Sequence, residues 1–174
     1  SNDPVTNRPC EIFYLRDEDT GELWGPTALP IREENGSYIA RHGQGYSRFE
    51  RTAHGIALDL LQYVPLVDPI KISRLTIRNT SGRPRRLSVT AYVEWVLGPS
   101  RSASAPFVMT EIDPETGMML ARNPWNTTFG SRVAFADLAG RQTAWTGDRR
   151  EFLGRNGRLD RPAALAAGTS LSKR

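Results

Sequence analysis

The chain has 174 residues, 39% of them hydrophobic and 24% charged, which is enough for one sizeable core and short for two domains. No apolar run approaches the roughly 20 residues of a membrane-spanning helix, and the single cysteine, Cys10, excludes a disulfide framework or a multi-thiolate metal site. The net charge of +4 comes almost entirely from arginines spread along the chain, which argues against a nucleic-acid-binding face.

Alternation of apolar and polar residues with a period of two predicts strands over most of the chain. Turn-forming sequences such as ENGS, HGQG and DLAGRQ separate the strands. The segment LDLLQYV at 58–64 could form a short helix, but Pro65 and the β-branched neighbours favour a strand. The predicted strands are 11–16, 37–42, 46–53, 55–66, 70–79, 85–98, 106–112, 117–122, 131–138 and 142–147.

The strongest predicted pair is a hairpin of 70–79 and 85–98, joined by the turn sequence NTSGRP. A change of phase at Ser73-Arg74 predicts a β-bulge in the first of these strands. Trp95 alternates with apolar residues of the second strand, so we expect it to be buried. Many antiparallel strands at this spacing predict an all-β fold, an antiparallel β-sandwich.

Two acidic segments, DEDTG at 17–21 and DPETG at 113–117, have the same D-x-x-T-G pattern between apolar runs. A calcium loop of the EF-hand kind would place a bidentate Glu at position 12, where this chain has Ala28. Asp can cap its own turn and Gly can adopt a positive φ, so the pattern favours turns. Metal binding and acid–base catalysis remain the alternatives.

Two polar and aromatic segments are candidate saccharide contacts. The glycine-containing stretch ARHGQGYSRFE at 40–50 would bring backbone and hydrogen-bond donors close to a ligand, or would simply connect two strands. The turn-rich RNPWN places an indole beside an amide, a combination that can stack on and bind a sugar, although most tryptophans pack in cores. The candidate contacts are Arg41, His42, Tyr46, Ser47, Trp125 and Asn126.

No residue is predicted to be catalytic, to ligate a metal or to bind a cofactor. The sequence contains no nucleophile elbow, no P-loop and no dinucleotide-binding glycine pattern. Glu94 and Glu111 lie on predicted strands, but nothing in the sequence makes them a pair across a cleft.

The first and last residues suggest a piece of a longer protein. The chain begins with Ser1-Asn2, without Met and without a signal peptide. The tail 154–174 is rich in Gly, Ala and Arg, so it is either a surface segment or one whose packing partners lie beyond Arg174. We predict a β-sandwich domain over 3–153 and a tail over 154–174 that is the cut end of that domain.

These segments resemble the cellobiose-phosphorylase family, glycoside hydrolase family 94 (formerly glycosyltransferase family 36), over most of 3–150. The resemblance is strongest to the C-terminal phosphorylase-like region of bacterial cyclic β-1,2-glucan synthases. The tail adds nothing decisive to the match. The matching positions are Asp17, Gly21, Trp24, Pro26, Arg41 to Phe49, Asn79, Ser81, Arg86, Glu94, Trp95 and the RNPWN segment.

The resemblance implies a truncated supersandwich of the galactose-mutarotase-like kind, which precedes an (α/α)₆ helical barrel carrying the catalytic acid. It implies three partners: that barrel, a β-glucan or gluco-oligosaccharide, and a second copy in a homodimer. The ARHGQGYS stretch is the candidate for a contact with the neighbouring subunit's active site. Nucleic acid is not an expected partner, and no cofactor is expected.

By the same resemblance, the parent protein is a bacterial inner-membrane enzyme that transfers glycosyl groups, with this region on its cytoplasmic side. This chain would be a non-catalytic, carbohydrate-associated part of the glycosyltransferase or phosphorylase. A self-standing carbohydrate-binding module and a structural dimerisation domain are the alternatives.

Overall fold

A computed structural model describes residues 9–34, 36–166 and 168–172 and confirms the all-β prediction. Two short α-helices and two 3₁₀ turns, Ala105–Phe107 and Ala163–Leu165, interrupt the strands. The strands are β1 (Glu11–Asp17), β2 (Leu23–Trp24), β3 (Ile39–Gly43), β4 (Tyr46–Ala53), β5 (Ile56–Tyr63), β6 (Ile72–Asn79), β7 (Leu87–Val93), β8 (Met109–Ile112), β9 (Met119–Arg122) and β10 (Ala134–Ala136); the helices are α1 (Arg101–Ser104) and α2 (Arg149–Leu153). Within the described ranges, every helix is too short or too polar to cross a bilayer.

The chain divides into two compact units, Phe13–Thr90 and the combination of Ser1–Ile12 with Ala91–Arg174. The first unit contains a four-stranded antiparallel sheet in the order β3-β4-β5-β6, and the second a three-stranded sheet in the order β10-β9-β8. A third sheet, β2-β1-β7, includes the two strands in which the chain passes from one unit to the other. The boundary predicted between 153 and 154 stays a prediction.

The core of the first unit lies on one face of the four-stranded sheet. Ile56 and Leu58 alternate along β5 and are almost fully buried on this face. They form a cluster with Leu15 and with Trp24, whose side chain is also fully buried. Burial of each such aliphatic side chain stabilises the fold by about 1.5–3 kcal/mol, so the period-two pattern of β5 accounts for its place in the sheet.

The predicted hairpin between 70–79 and 85–98 is wrong. β6 pairs with β5, whereas β7 pairs with β1 in a different sheet. Arg85, immediately before β7, donates from Nε to a carboxylate oxygen of Asp17 over 2.9 Å, and the backbone N–H of Glu18 donates to the carbonyl of Arg86. These bonds direct the chain onto the end of β1, 68 residues away from Arg85 in sequence.

The turn sequence itself behaves as its chemistry predicts. The side-chain oxygen of Asn79 accepts hydrogen bonds from the backbone N–H and the hydroxyl of Ser81. The predicted bulge at Ser73-Arg74 is wrong, because β5 and β6 keep one continuous register over all eight residues of β6.

Three further strand predictions are wrong in part or as a whole. β7 stops at Val93, and Trp95 is half-buried rather than buried, while Tyr92 on the opposite alternation is 8% exposed. The segment 106–112 begins with a 3₁₀ turn at Pro106 before β8, because proline fixes φ and has no N–H for a ladder. The segment 142–147 has no strand.

In the second unit, the short helix α2 connects to the tail. The side chain of Asp148 caps α2 by accepting from two backbone N–H groups, and Phe152 stacks on Tyr92 with ring centroids 5.1 Å apart. Ser172 donates from its backbone N–H and its hydroxyl to the carboxylate of Glu151. At the start of the tail, the backbone N–H of Gly154 donates to the carbonyl of Arg150 over 2.9 Å, so residues near both ends of the tail are bonded to this helix.

Candidate functional site

Four of the six predicted saccharide contacts lie on the hairpin of β3 and β4. The stretch 40–47 is the connection between two strands, which is one of the two interpretations given above, and its strands are joined by a tight two-residue turn, Gln44-Gly45. Gly45 has φ +77°, a conformation that glycine adopts without a steric penalty. The backbone of β4 is therefore paired on both sides, whereas β3 is paired on one side only, as an edge strand.

The pairing register separates these four residues onto opposite faces of the sheet. His42 is paired with Ser47, and both point to the face that carries the core residues of β5. Arg41 and Tyr46 point to the other face, which we call the outer face. The four side chains therefore do not converge on one site.

The core-face pair belongs to a polar row that crosses all four strands. His42 Nδ1 lies 2.9 Å from Ser47 Oγ, and in the same row Gln62 Nε2 donates to Ser73 Oγ over 3.0 Å. The imidazole also makes an edge-on contact with Phe49 at 5.8 Å. These polar groups bond to one another, which favours a structural role for His42. Gln62 and Ser73 could be found from sequence only once the register was known.

On the outer face, Tyr46 lies across a glycine. A Cβ atom placed on Gly43, its cross-strand partner, would stand only 2.2 Å from Cε1 of the tyrosine ring. The ring therefore occupies the space above Gly43, an aromatic–glycine pairing that pins the ring to the sheet. Tyr46 is still 46% exposed, so the ring remains available to a ligand.

Next to this ring, the outer face carries a ladder of arginine–carboxylate pairs. Arg48 forms a bidentate pair with Asp59, with Nε–Oδ1 at 2.9 Å and Nη2–Oδ2 at 2.7 Å. Arg41 forms an ion pair with Glu50, which also lies 3.6 Å from Arg48. The hydrogen bond from Arg48 lowers the pKa of Asp59, and the same bond raises the pKa of Arg48. Both groups of the bidentate pair are therefore held in their charged forms.

The other two predicted contacts lie in the second unit, in the turn that follows β9. The indole of Trp125 is 75% exposed, and its ring centroid lies 5.8 Å from that of Phe107, which is 42% exposed. The backbone N–H of Trp125 donates to the side chain of Asn123 over 3.1 Å. Trp125 therefore presents an open aromatic surface on a turn held by side-chain hydrogen bonds.

The amide of Asn126 is occupied by the turn itself. Its oxygen accepts from the backbone N–H groups of Thr128 and Phe129, at 3.0 and 2.9 Å, and its nitrogen donates to the carbonyl of Leu97 at 3.3 Å. Three partners leave this amide little capacity for a sugar hydroxyl. Asn126 shapes the turn that holds Trp125.

The acidic segments form the turns that the sequence predicts. One carboxylate oxygen of Asp17 accepts from the backbone N–H groups of Asp19 and Thr20, and Gly21 follows with φ +76°. In the second turn Asp113 accepts from the backbone N–H of Thr116. Within the described ranges, His, Cys, Asp and Glu nowhere gather in groups of three that could hold a metal ion.

Sequence reasoning missed a buried charged network beneath the four-stranded sheet. The guanidinium of Arg51 is fully buried; it donates to the carbonyl of Gly25 at 3.0 Å, pairs with Glu33 and lies 4.4 Å from the ring centre of Tyr38. Glu33 also contacts Nε2 of His54 at 2.8 Å. Burial raises the pKa of Glu33. The hydrogen bond from His54 and the positive charge of Arg51 lower it by a larger amount, so the net shift of the pKa is downward. An arginine at a core-face position of β4 was the available signal.

The carboxyl groups with shifted pKa values share one direction. The pKa of each is held below its ordinary range by arginine, histidine, hydroxyl or backbone hydrogen-bond donors. A general acid that works near neutral pH needs a raised pKa instead. The lowered pKa values of these carboxyl groups therefore agree with roles in ion pairs and turns. The groups are those of Asp17, Glu18, Glu33, Asp59, Asp113 and Asp160.

Comparison with known families gives a match over the whole chain. Residues 1–174 match the family described as "Glycosyl hydrolase 94, supersandwich domain". The chain belongs to this family. The predicted resemblance is thereby confirmed, and the supersandwich agrees with the antiparallel sheets described above.

Several curated proteins are similar to this chain. The cyclic beta-(1,2)-glucan synthase NdvB of Rhizobium meliloti (strain 1021) is 40% identical over 172 residues, which are 99% of this chain and 6% of that protein. The solabiose phosphorylase of Paenibacillus borealis is 32% identical over 163 residues, 90% of this chain and 21% of that protein. The N,N'-diacetylchitobiose phosphorylase of Vibrio furnissii is 34% identical over 91 residues, 51% of this chain and 11% of that protein. This chain thus spans a small part of each relative.

Proposed function

We propose that this chain is a non-catalytic, carbohydrate-associated domain of a larger glycosyltransferase or phosphorylase that acts on β-glucan. The observation that supports this most is the state of its acidic side chains. Asp17 and Asp59 are each bonded to an arginine and Asp113 is bonded to its own turn; these bonds lower the pKa of each carboxyl, whereas a general acid needs a raised pKa. Membership of the supersandwich family supports the association with an enzyme.

We further propose that the parent enzyme takes part in cyclic β-1,2-glucan synthesis, because the relative that is 40% identical has that name. In this proposal the domain supports an active site in a helical barrel elsewhere in the parent and contributes to contacts between two copies. The parent would be a bacterial inner-membrane protein with this domain on the cytoplasmic side.

The absence of catalysis by the chain itself can be tested directly. The 174-residue chain is incubated with linear β-1,2-gluco-oligosaccharides and inorganic phosphate, and the release of glucose 1-phosphate and of shorter oligosaccharides is followed. We expect no release above a heat-denatured control. Turnover that scales with the concentration of the folded chain and is lost in a carboxylate variant such as Asp59→Asn would overturn the proposal.

A carbohydrate-binding module that acts by itself is the second candidate function. It is favoured by the exposed indole of Trp125 beside Phe107, because stacking on an open aromatic ring is a common mode of sugar recognition. This function requires that the chain alone binds an oligosaccharide, which isothermal titration calorimetry measures.

A structural dimerisation domain is the third candidate. All five residues of β3 are exposed, and β3 is an edge strand of its sheet. An unpaired edge offers backbone groups to another strand. Sedimentation velocity at several concentrations would detect such a dimer, and this function requires that the dimer be insensitive to added sugar.

A further inference from the structure

We propose that the outer face of the four-stranded sheet binds a β-linked gluco-oligosaccharide, with Tyr46 as the stacking platform and the Arg48–Asp59 pair as the polar contact. This inference rests on the proposed association of the chain with carbohydrate and assigns the contact to one surface. Of the six possible contacts predicted from the two sequence segments, it keeps Tyr46 and Arg41 and adds residues that share their face.

The platform is formed by Tyr46 and the backbone beneath it. Because the ring covers Gly43, one side of the ring is packed against β3, and 46% of the residue remains exposed to solvent. Tyr63 is the cross-strand partner of Tyr46 on β5, lies on the same face and is half-buried. A ring fixed in this way loses little conformational entropy when a sugar stacks on it.

The polar contact lies one step further along the same face. Arg48 follows Tyr46 by two residues, so the two side chains leave the strand roughly 7 Å apart on the same side. The bidentate pair with Asp59 uses Nε and Nη2 of Arg48 and leaves the Nη1 donors available. Each carboxylate oxygen of Asp59 has a second lone pair. The pair therefore presents donors and acceptors in a fixed geometry.

The charge balance favours an uncharged, hydroxyl-rich ligand. Beside the ring, the positive charges of Arg41 and Arg48 are offset by the carboxylates of Glu50 and Asp59, and Arg74, at the β6 end of the same row, adds one further positive charge. An anion would gain from the arginines but would be repelled by the adjacent carboxylates. A hydroxyl group both donates and accepts, so it can bond to both halves of such a pair.

The extent of the surface favours an oligosaccharide over a single sugar. Arg48 shares a row with Arg41 on β3 and Arg74 on β6, and Arg74 is exposed. Three inter-strand steps separate β3 from β6, which gives a row of about 14 Å. Several sugar rings could lie along this row, with donors from more than one arginine.

The test is isothermal titration of the 174-residue chain with linear β-1,2-gluco-oligosaccharides, with four variants. We expect Tyr46→Ala to weaken binding about tenfold, which corresponds to the loss of an aromatic contact of about 1.4 kcal/mol. Tyr46→Phe keeps the platform and should bind within twofold of the wild type. Arg48→Met, at a half-exposed ion pair, should fold normally and weaken binding by at least about fivefold. Trp125→Ala is the matched exposed-aromatic control and should bind normally.

Each outcome decides between the outer face and other surfaces. Thermal melts first establish that each variant is folded, and if Tyr46→Ala is not, Arg48→Met decides alone. Binding that persists in both outer-face variants overturns this inference. If such binding is lost in Trp125→Ala, the carbohydrate association stands and the site lies in the second unit. A wild-type chain that binds nothing at millimolar ligand also overturns the inference, whereas the non-catalytic role is judged separately by the turnover assay.

Discussion

The two D-x-x-T-G turns of this protein have the same backbone structure but different roles. In both, the Asp side chain accepts from the N–H group of the following Thr, and the Gly adopts a φ of +76° or +74°. Asp17 is fully buried, and its second oxygen is bonded to Arg85. Asp113 is half-buried, and its pKa is lowered mainly by the hydroxyl of Thr116 in its own turn. Local sequence therefore determines the turn, and distant sequence determines what the carboxylate does.

This comparison also explains why an acidic cluster can look like a metal or catalytic site. Three consecutive acidic residues begin the first turn, yet Asp17 is the counter-ion of a buried guanidinium that is 4% exposed. Glu18 is held by the Ser88 hydroxyl and by Arg16, and both bonds lower its pKa. The acidic cluster thus ties the end of β1 to the residues that begin β7.

The largest expected difference between the two turns is in stability. Asp17→Asn keeps the turn but leaves the charge of Arg85 buried without a partner, which should lower the melting temperature by roughly 10 °C. Asp113→Asn should lower it by less than about 3 °C, since no buried ion depends on it. Thermal melts followed by circular dichroism measure both changes. Equal losses would contradict the distinction between the turns.

A control for this prediction lies in the neighbouring arginine. Arg86 pairs with Asp19 at 2.9 Å, but both side chains are exposed. Arg86→Gln should therefore have little effect, whereas Arg85→Gln should be about as destabilising as Asp17→Asn. If Arg85→Gln and Arg86→Gln have the same melting temperature, the burial of the Arg85 pair does not contribute to stability.

The next difference concerns acid stability. The hydrogen bond from Arg85 lowers the pKa of Asp17 in the folded state, so Asp17 stabilises the fold above its unfolded pKa of about 4. That stabilisation is lost as the pH falls through the folded pKa. Asp17→Asn should therefore flatten the decline in melting temperature below about pH 4. Asp113 also has a lowered pKa, but its variant should flatten the decline less, and the reverse order would be inconsistent with a buried Asp17 pair.

The smallest expected difference concerns the two glycines, and here substitution in the second turn should cost more stability than substitution in the first. Alanine at either glycine is strained by the positive φ and should cost about 1 kcal/mol. At Gly21 nothing lies within 4 Å of the new Cβ, but at Gly117 the Gln142 amide lies 2.7 Å away and donates to the Gly117 carbonyl. Gly117→Ala should therefore cost about 1 kcal/mol more than Gly21→Ala in urea denaturation. A larger loss of unfolding free energy in Gly21→Ala would contradict this prediction, because it would mean that a Cβ atom is not accommodated at Gly21.

The sequence predicted most of the strands because alternation is a local property. β1, β4 and β5 follow the predicted ranges within three residues at each end. The partner of β7 could not be predicted in this way, since it depends on the Arg85–Asp17 bond between residues 68 positions apart. Turn chemistry at Asn79 was correctly recognised but does not specify which strand follows in the same sheet.

Prediction of the candidate site from sequence was limited in the same way, because closeness in sequence does not show which residues share a face. Motif residues at 41, 42, 46 and 47 were chosen because they are near in sequence, but strand alternation places them on two faces. The Arg48–Asp59 pair belongs to the outer face only through the register of β4 and β5. Family resemblance supplied the link to carbohydrate, which no arrangement of polar residues in the sequence could have specified.

The most direct test of the account is a map of the sugar-binding surface. In ¹⁵N–¹H correlation spectra, the chain is titrated with a linear β-1,2-gluco-oligosaccharide, and the amide shifts are assigned to residues. We expect changes concentrated on β3, β4 and β5 around Tyr46 and Arg48, with unchanged amide shifts in the turns 17–21 and 113–117. The assignment of the sugar-binding surface would be contradicted by shift changes centred on either acidic turn, or by changes around Trp125 without any in β4.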